Sequence, residues 1–214
     1  MPVRTSTRRA TRSKAPADLD TRERILRSAL EIFGTRGFEG ARTRDIADAA
    51  GANLGLLQYY FGGKEKLWRA AVDHVFARLW ETLATEAARD PDDPAALADM
   101  LRTAVRFAAE HPALIRLMND EGKRDSPRLR WLVDRHGRRL YDMAAAVLGR
   151  TRMRNRLGDV EPVHLYYLIV GSVGLIFSQA AECRRLTGTD PTAAPAMIAA
   201  HAEMLVRLLG HDPA

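Results

Sequence analysis

Between Arg42 and Leu67 the chain places Thr43, Arg44, Asn53, Gln58, Tyr59, Tyr60 and Lys64 among short apolar repeats. These side chains donate and accept hydrogen bonds at spacings that suit contact with a nucleic acid. Thr43 can cap a helix whose apolar positions are Ile46, Ala47 and Ala50, and Gly51 sits where a helix end needs positive φ. Asn53 can cap a second short helix, in which Leu57 and Phe61 lie four apart on one face. Two short helices joined by a tight turn make a helix-turn-helix, whose second helix enters the DNA major groove. Arg44, Leu54, Gly55, Gln58 and Tyr59 are then the candidates to face bases. Gln58 can pair with adenine through two hydrogen bonds, and Arg44 with guanine.

Other chemistry has no matching pattern. There is no Gly-x-Ser-x-Gly elbow, Walker A loop, dinucleotide fingerprint or His-Glu-x-x-His, and Gly171-Ser-Val-Gly174 has the wrong spacing for an elbow. Six scattered histidines and one cysteine give no metal-ligand spacing, so neither metal nor cofactor is expected. The acidic pair Asp120/Glu121 reads as a solvated helix end. The chain is expected not to be an enzyme.

The elements that position the polar residues begin upstream. Asp20-Thr-Arg-Glu23 fits a capping box. Ile25, Ala29, Ile32 and Phe33 follow as an apolar helix face, Gly37 ends the helix, and Phe38 can fold back on it. Three helices would share a core of Ile25, Ala29, Phe33, Phe38, Ile46, Ala50, Leu57 and Phe61.

Residues 21–67 resemble the DNA-binding domain of TetR-family transcriptional regulators. The likeness runs from Thr21–Phe33 through Gly37-Phe38, Thr43, Ile46-Ala47, Ala50-Gly51, Tyr60-Phe61, Lys64 and Leu67. It implies that Thr43, Tyr60 and Lys64 contact DNA phosphates. The order Gln58-Tyr59-Tyr60 departs from the family, which often has Tyr at the position of Gln58, so no operator sequence carries over. The resemblance also implies a homodimer, a palindromic operator and a small-molecule effector.

Charge is distributed accordingly. Residues 1–67 carry 13 Lys/Arg against 8 Asp/Glu, net +5, and the remaining residues are close to neutral at +1. Phosphate neutralisation supplies much of protein–DNA affinity, so this asymmetry fits a DNA binder. Residues 1–17 hold Arg4, Arg8, Arg9, Arg12 and Lys14 and no acidic residue, and read as a disordered basic arm. No apolar stretch follows those charges as a secretory signal would require. A single cysteine, Cys183, gives no intramolecular disulfide framework, suits a reducing cytoplasm, and reads as a small buried hydrophobe. The apolar run Val163–Ala181 is about membrane-spanning length, but His164, Gly171, Ser172, Gly174, Ser178 and Gln179 interrupt it. It reads as a buried helix, with no membrane partner.

The expected architecture is all-α, about nine helices. A helix-turn-helix domain over 18–67 precedes a larger effector-binding and dimerisation domain over 68–214. Proline dipeptides at Asp93-Pro94, His111-Pro112, Ser126-Pro127, Glu161-Pro162 and Asp190-Pro191 punctuate the second part. The spacing predicts helices over 63–89, 94–109, 112–120, 127–149, 161–184 and 192–209. The first of these would carry motion between the domains. Gly171 and Gly174, which permit close helix approach, and Ala200 and Met204, on the apolar stripe of the last helix, are the dimer-interface candidates. Phe76, Phe107, Trp131 and Tyr166 are the effector-pocket candidates. The basic run Arg150–Arg156 reads as a solvated loop. Taken together, the reading is a sequence-specific regulator, a repressor released from its operator by an effector. A constitutive DNA binder without effector, or a helical enzyme, are the alternatives.

Overall fold

A computed structural model describes residues 16–87, 94–149 and 157–210, and among them every regular element is helical. The arm up to residue 15 and the basic run 150–156 lie outside the described residues.

Helix α1 (Pro16–Gly40) buries Ile25, Leu26, Ala29, Leu30 and Phe33. It starts at Pro16, so Asp20 is not its cap. Asp20 lies inside the first turns and pairs with Arg24 one turn on. Gly37, at φ 67° and ψ 173°, kinks the helix end in a conformation that favours glycine. The kink turns Phe38 back to stack on Phe33 at 5.8 Å and meet Trp68 edge-on at 6.5 Å.

Helix α2 (Thr43–Ala49) is capped by the backbone of Arg42, with no side-chain cap bond. Thr43 is therefore the first helical residue, one position too late to cap. Gly51, at φ 60°, closes the helix as the glycine of a Schellman motif. Its N–H donates to Asp48 O at 3.1 Å, and that of Ala52 to Ala47 O at 2.9 Å. Asn53 then caps α3 (Leu54–Phe61), its Oδ1 accepting from Leu56 N at 2.8 Å. Gly62 (φ 70°) ends α3, and α4 (Lys64–Ala87) leaves at once.

The second part comprises α5 (Pro94–Glu110), α6 (Pro112–Glu121), α7 (Pro127–Leu132), a π-helical turn (Val133–Gly137), α8 (Arg138–Gly149), α9 (Pro162–Ser178), α10 (Ala180–Thr187) and α11 (Pro195–Gly210). The predicted helix 161–184 is two helices, α9 and α10, bent by 70° at Gln179. Among the described residues no single helix is long and apolar enough to cross a membrane.

One core runs through both parts. Phe33, Ile46 and Leu57 belong to the same buried cluster as Trp68, Phe76, Ala113, Leu117 and Leu132. The approach of α1 to α6 is close: a Cβ on Gly34 would lie 2.9 Å from the Ala113 Cα. Residue 67 therefore marks no gap in packing. Two smaller clusters join α5 to α9 and α11, and α5 to α8 and α9.

Candidate nucleic-acid interface

Helix α3 buries Leu57 and Phe61 and exposes Leu54, Gly55, Gln58 and Tyr59. The four base-facing candidates on α3 therefore share its outer face, with Tyr59 79% exposed. Arg44 is also exposed, on the first turn of α2. Gln58 is folded back, its Nε2 donating to Gly62 O at 3.0 Å. Reading a base requires Gln58 to exchange that bond, an intramolecular one worth about 1 kcal/mol.

Core contacts and polar ties set the angle of these helices. Arg24 Nε donates to Ala50 O at 3.2 Å, and Arg36 pairs with Asp45, so α1 grips both ends of α2. The Arg22 guanidinium lies 5.5 Å from the Phe61 ring.

The phosphate candidates are placed differently. Thr43 is half-buried at the start of α2, where a helix leaves its first backbone amides without intrahelical partners. Tyr60 is half-buried, edge-on to Phe61 at 6.1 Å. Lys64 opens α4, donating from Nζ to Glu39 O at 3.3 Å and lying 4.6 Å from the Phe38 ring centroid. Arg128 of α7 reaches the same ring at 3.9 Å. It also pairs with Glu39 at 3.6 Å and with Glu121 at 2.9 Å.

Glu121 corrects the reading of Asp120/Glu121 as a solvated pair. Asp120 is exposed, but Glu121 is only 8% exposed, and it accepts from Arg128 and from Ser126 Oγ at 3.4 Å. Its burial depends on Arg128, seven residues away on the next helix, and no local pattern announces that partner. The resulting chain Glu121–Arg128–Phe38–Lys64 joins the α6–α7 corner to the first turn of α4.

Helix α4 is also tied to the π-helical turn. Asp73 Oδ1 accepts from Arg135 at 3.1 Å and from His136 Nε2 at 2.9 Å. His136 is 4% exposed and stacks on Phe76 at 4.0 Å, and its Nδ1 is buried without a hydrogen-bond partner. Burial pushes its pKa below the usual 6.5, against the pull of Asp73. Sequence reasoning missed this clamp because a π-turn leaves no periodic signature.

A cavity of about 90 Å³ lies between α4, α5, α8 and α9. Ten of its eleven lining residues are aliphatic side chains, Met included, and the eleventh is Tyr166. Of the four pocket candidates, Tyr166 alone lines it. Phe76 stacks on His136, Phe107 meets His111 at a tilt with centroids 4.7 Å apart, and Trp131 meets Trp68 edge-on at 5.4 Å.

The dimer candidates also separate. Gly171, Ala200 and Met204 are exposed, alongside Leu168, Leu175 and Leu208. Gly174 instead faces inward, where a Cβ would lie 3.0 Å from Ile115 Cγ2, so its small size serves the packing of α9 on α6. Cys183 is half-exposed rather than buried, because α10 buries no residue. Among the described residues no group of three His, Cys, Asp or Glu suits a metal ion.

Two family models match the chain. Bacterial regulatory proteins of the tetR family match residues 25–71, and the tetracyclin repressor-like C-terminal domain matches residues 94–209. The HTH-type transcriptional regulator RutR of Escherichia coli is 27% identical over 77% of this chain and 77% of its own. The HTH-type transcriptional repressor NicS of Pseudomonas putida is 30% identical over 47% of this chain, and the match spans about half of NicS (48%). The structure of AibR in complex with isovaleryl coenzyme A and operator DNA shares the fold at a TM-score of 0.65. It is 17% identical, with 89% of this chain and 98% of AibR covered.

Proposed function

The chain belongs to the TetR family of bacterial regulatory proteins, and on that premise we propose that it is a repressor released from a palindromic operator by a small molecule. The observation that carries this reading is the geometry of α4. Its first residue is the phosphate candidate Lys64, its middle is clamped by the π-turn at Asp73, and Leu83 lines the apolar cavity. One rigid element thus touches the DNA-facing unit and the cavity, so a change at either end has a path to the other. NicS is a repressor by name, and AibR holds both an acyl-coenzyme A and operator DNA, which support both halves of the reading.

Thr43, Tyr60 and Lys64 position the protein on phosphates. Arg44, Leu54, Gly55, Gln58 and Tyr59 face bases. The protein acts as a homodimer in the cytoplasm, without catalysis or cofactor. The apolar stripe Leu168, Gly171 and Leu175 on α9, with Ala200, Met204 and Leu208 on α11, is the dimer face.

Selection of bound duplexes from a random pool tests the reading. Two-fold symmetric sites are expected, with half-sites one helical turn apart or a multiple. Recovery of sites without symmetry, or binding that varies with salt but not with sequence, would reject it.

A further inference from the structure

Resting on the reading of Lys64 as a phosphate contact, we infer that Arg128 of α7 is a positioning residue for Lys64, so that operator affinity depends on a guanidinium outside the helix-turn-helix unit. Lys64 has two supports, the Glu39 carbonyl at 3.3 Å and the Phe38 ring at 4.6 Å. Both come from the last residues of α1, beyond the kink at Gly37. Arg128 grips the same two residues. Its guanidinium lies 3.9 Å from the Phe38 ring centroid and pairs with the Glu39 carboxylate at 3.6 Å. Arg128 is fixed in turn from the far side. Its Nε donates at 2.9 Å to Glu121, which is buried and also accepts from Ser126 Oγ, the side chain that caps α7. A planar guanidinium can stack on a ring while its edge serves two carboxylates, which a lysine ammonium cannot do.

The role is indirect. The Arg128 side chain is only 21% exposed and has two carboxylate partners, so it holds the supports of Lys64 rather than a phosphate. The gain is preorganisation. A free lysine loses its rotamer freedom on meeting a phosphate, whereas one already held by a ring and a carbonyl loses less. A second tie between the two parts gives the contrast. Arg116 of α6 donates to Gly34 O at 3.3 Å and pairs with Glu31 at 3.6 Å, and both of these partners lie before the kink. Arg116 therefore fastens the shaft of α1, and Arg128 fastens the segment that carries Lys64.

The test is a double-mutant cycle on the full chain, read by anisotropy titration across salt against an operator recovered by selection and against a random duplex. Arg128→Gln together with Glu121→Gln removes the grip, keeps the net charge and leaves no unpaired buried carboxylate. This pair should weaken both duplexes alike, about fivefold, and make the salt dependence shallower. On a Lys64→Ala background the same pair should change affinity by less than about twofold, because the residue it positions is gone. Arg116→Gln together with Glu31→Gln should leave affinity unchanged on either background. If circular dichroism shows the Arg128 pair unfolded, Phe38→Leu removes the ring that both cations share without altering charge, and the same pattern is expected of it. Losses that add on the Lys64→Ala background, full affinity in a folded Arg128 variant, or an equal loss from the Arg116 pair would each overturn the inference. In those cases Lys64→Ala still weakens every duplex and the phosphate reading stands. Lys64→Ala without effect on either duplex would bring down the phosphate reading and the inference with it.

Discussion

Lys64 is anchored on three sides, by the Glu39 carbonyl, the Phe38 ring and its place at the first turn of α4. An ammonium held there is a fixed point charge, indifferent to base sequence. Lys64→Ala should weaken binding to every duplex alike and lower the slope of log affinity against log salt by about one charge. Gln58 is different, because a base can replace its bond to Gly62 O. Gln58→Ala should relax preference at one position per half-site, at roughly 1–3 kcal/mol there. Anisotropy titrations across salt and across single-base operator variants separate the two, and an equal loss on all sequences for Gln58→Ala would remove it from base reading. Arg128 carries a third consequence. Its partner Glu121 is buried, so Arg128→Met leaves a carboxylate without its counter-charge, which should cost about 3 kcal/mol in urea unfolding. Removing both charges with Glu121→Gln in addition should recover part of that loss, and strict additivity would show the pair to be independent.

Elements were legible in the sequence where the cause was local. Asn53 caps α3 and Gly51 closes α2, because each device acts within about one turn of its own residue, whereas Gly37, expected to end α1, kinks it and the helix resumes to Gly40. Asp20 and Thr43 were misplaced by small shifts in helix start, since α1 begins at Pro16 and the backbone of Arg42 caps α2. Gly174 and Glu121 were misjudged because their partners, Ile115 and Arg128, come from other helices. The break at Gln179 carries no proline or glycine to mark it. The candidate site divides the same way. The exposed face of α3 follows from helical period, whereas the π-turn clamp and the cavity arise only on packing. The clamp has a pH signature. His74, His111 and His136 all have pKa values lowered from 6.5, chiefly by burial. Glu23, Glu110 and Asp73 oppose the shifts, while Arg22, Arg78 and Arg135 reinforce them. The unfolded chain then binds more protons than the folded one as pH falls below about 6.5. Stability from these groups is complete above 6.5 and is lost as pH falls toward the lowered folded values. Melting temperature should drop on going from pH 7.5 to pH 5.5, and His136→Gln should flatten that dependence. A melting temperature that rises on acidification would mean that the carboxylates, not burial, set the histidine protonation.

At the scale of the whole molecule, one core spans the helix-turn-helix unit and α4, so the two parts are packed together rather than strung as two beads on a linker. An apolar stripe on α9 and α11 lies at the surface. Leu175 is 55% exposed and Leu168 52%, and Met204 and Leu208 stand out on the neighbouring helix. Side chains of this kind on two adjacent helices suit a four-helix junction with a second copy. Leu175→Glu places a charge on that face without touching the subunit core. It should yield a folded monomer in sedimentation, with helical content unchanged. Operator affinity should fall by about 10²-fold or more, because each half-site must then be bound without the gain of a linked second site. Gly174→Arg, one residue away, should behave differently. Its side chain would enter the space of Ile115 and bury a charge, so the subunit itself should unfold at lower temperature or fail to accumulate. Opposite readouts from these neighbouring substitutions would locate the interface: loss of association at the exposed position, loss of folding at the buried one. A dimer that survives Leu175→Glu together with Met204→Glu would place the two-fold axis on another face, and the half-site spacing would then have to be drawn from that face instead.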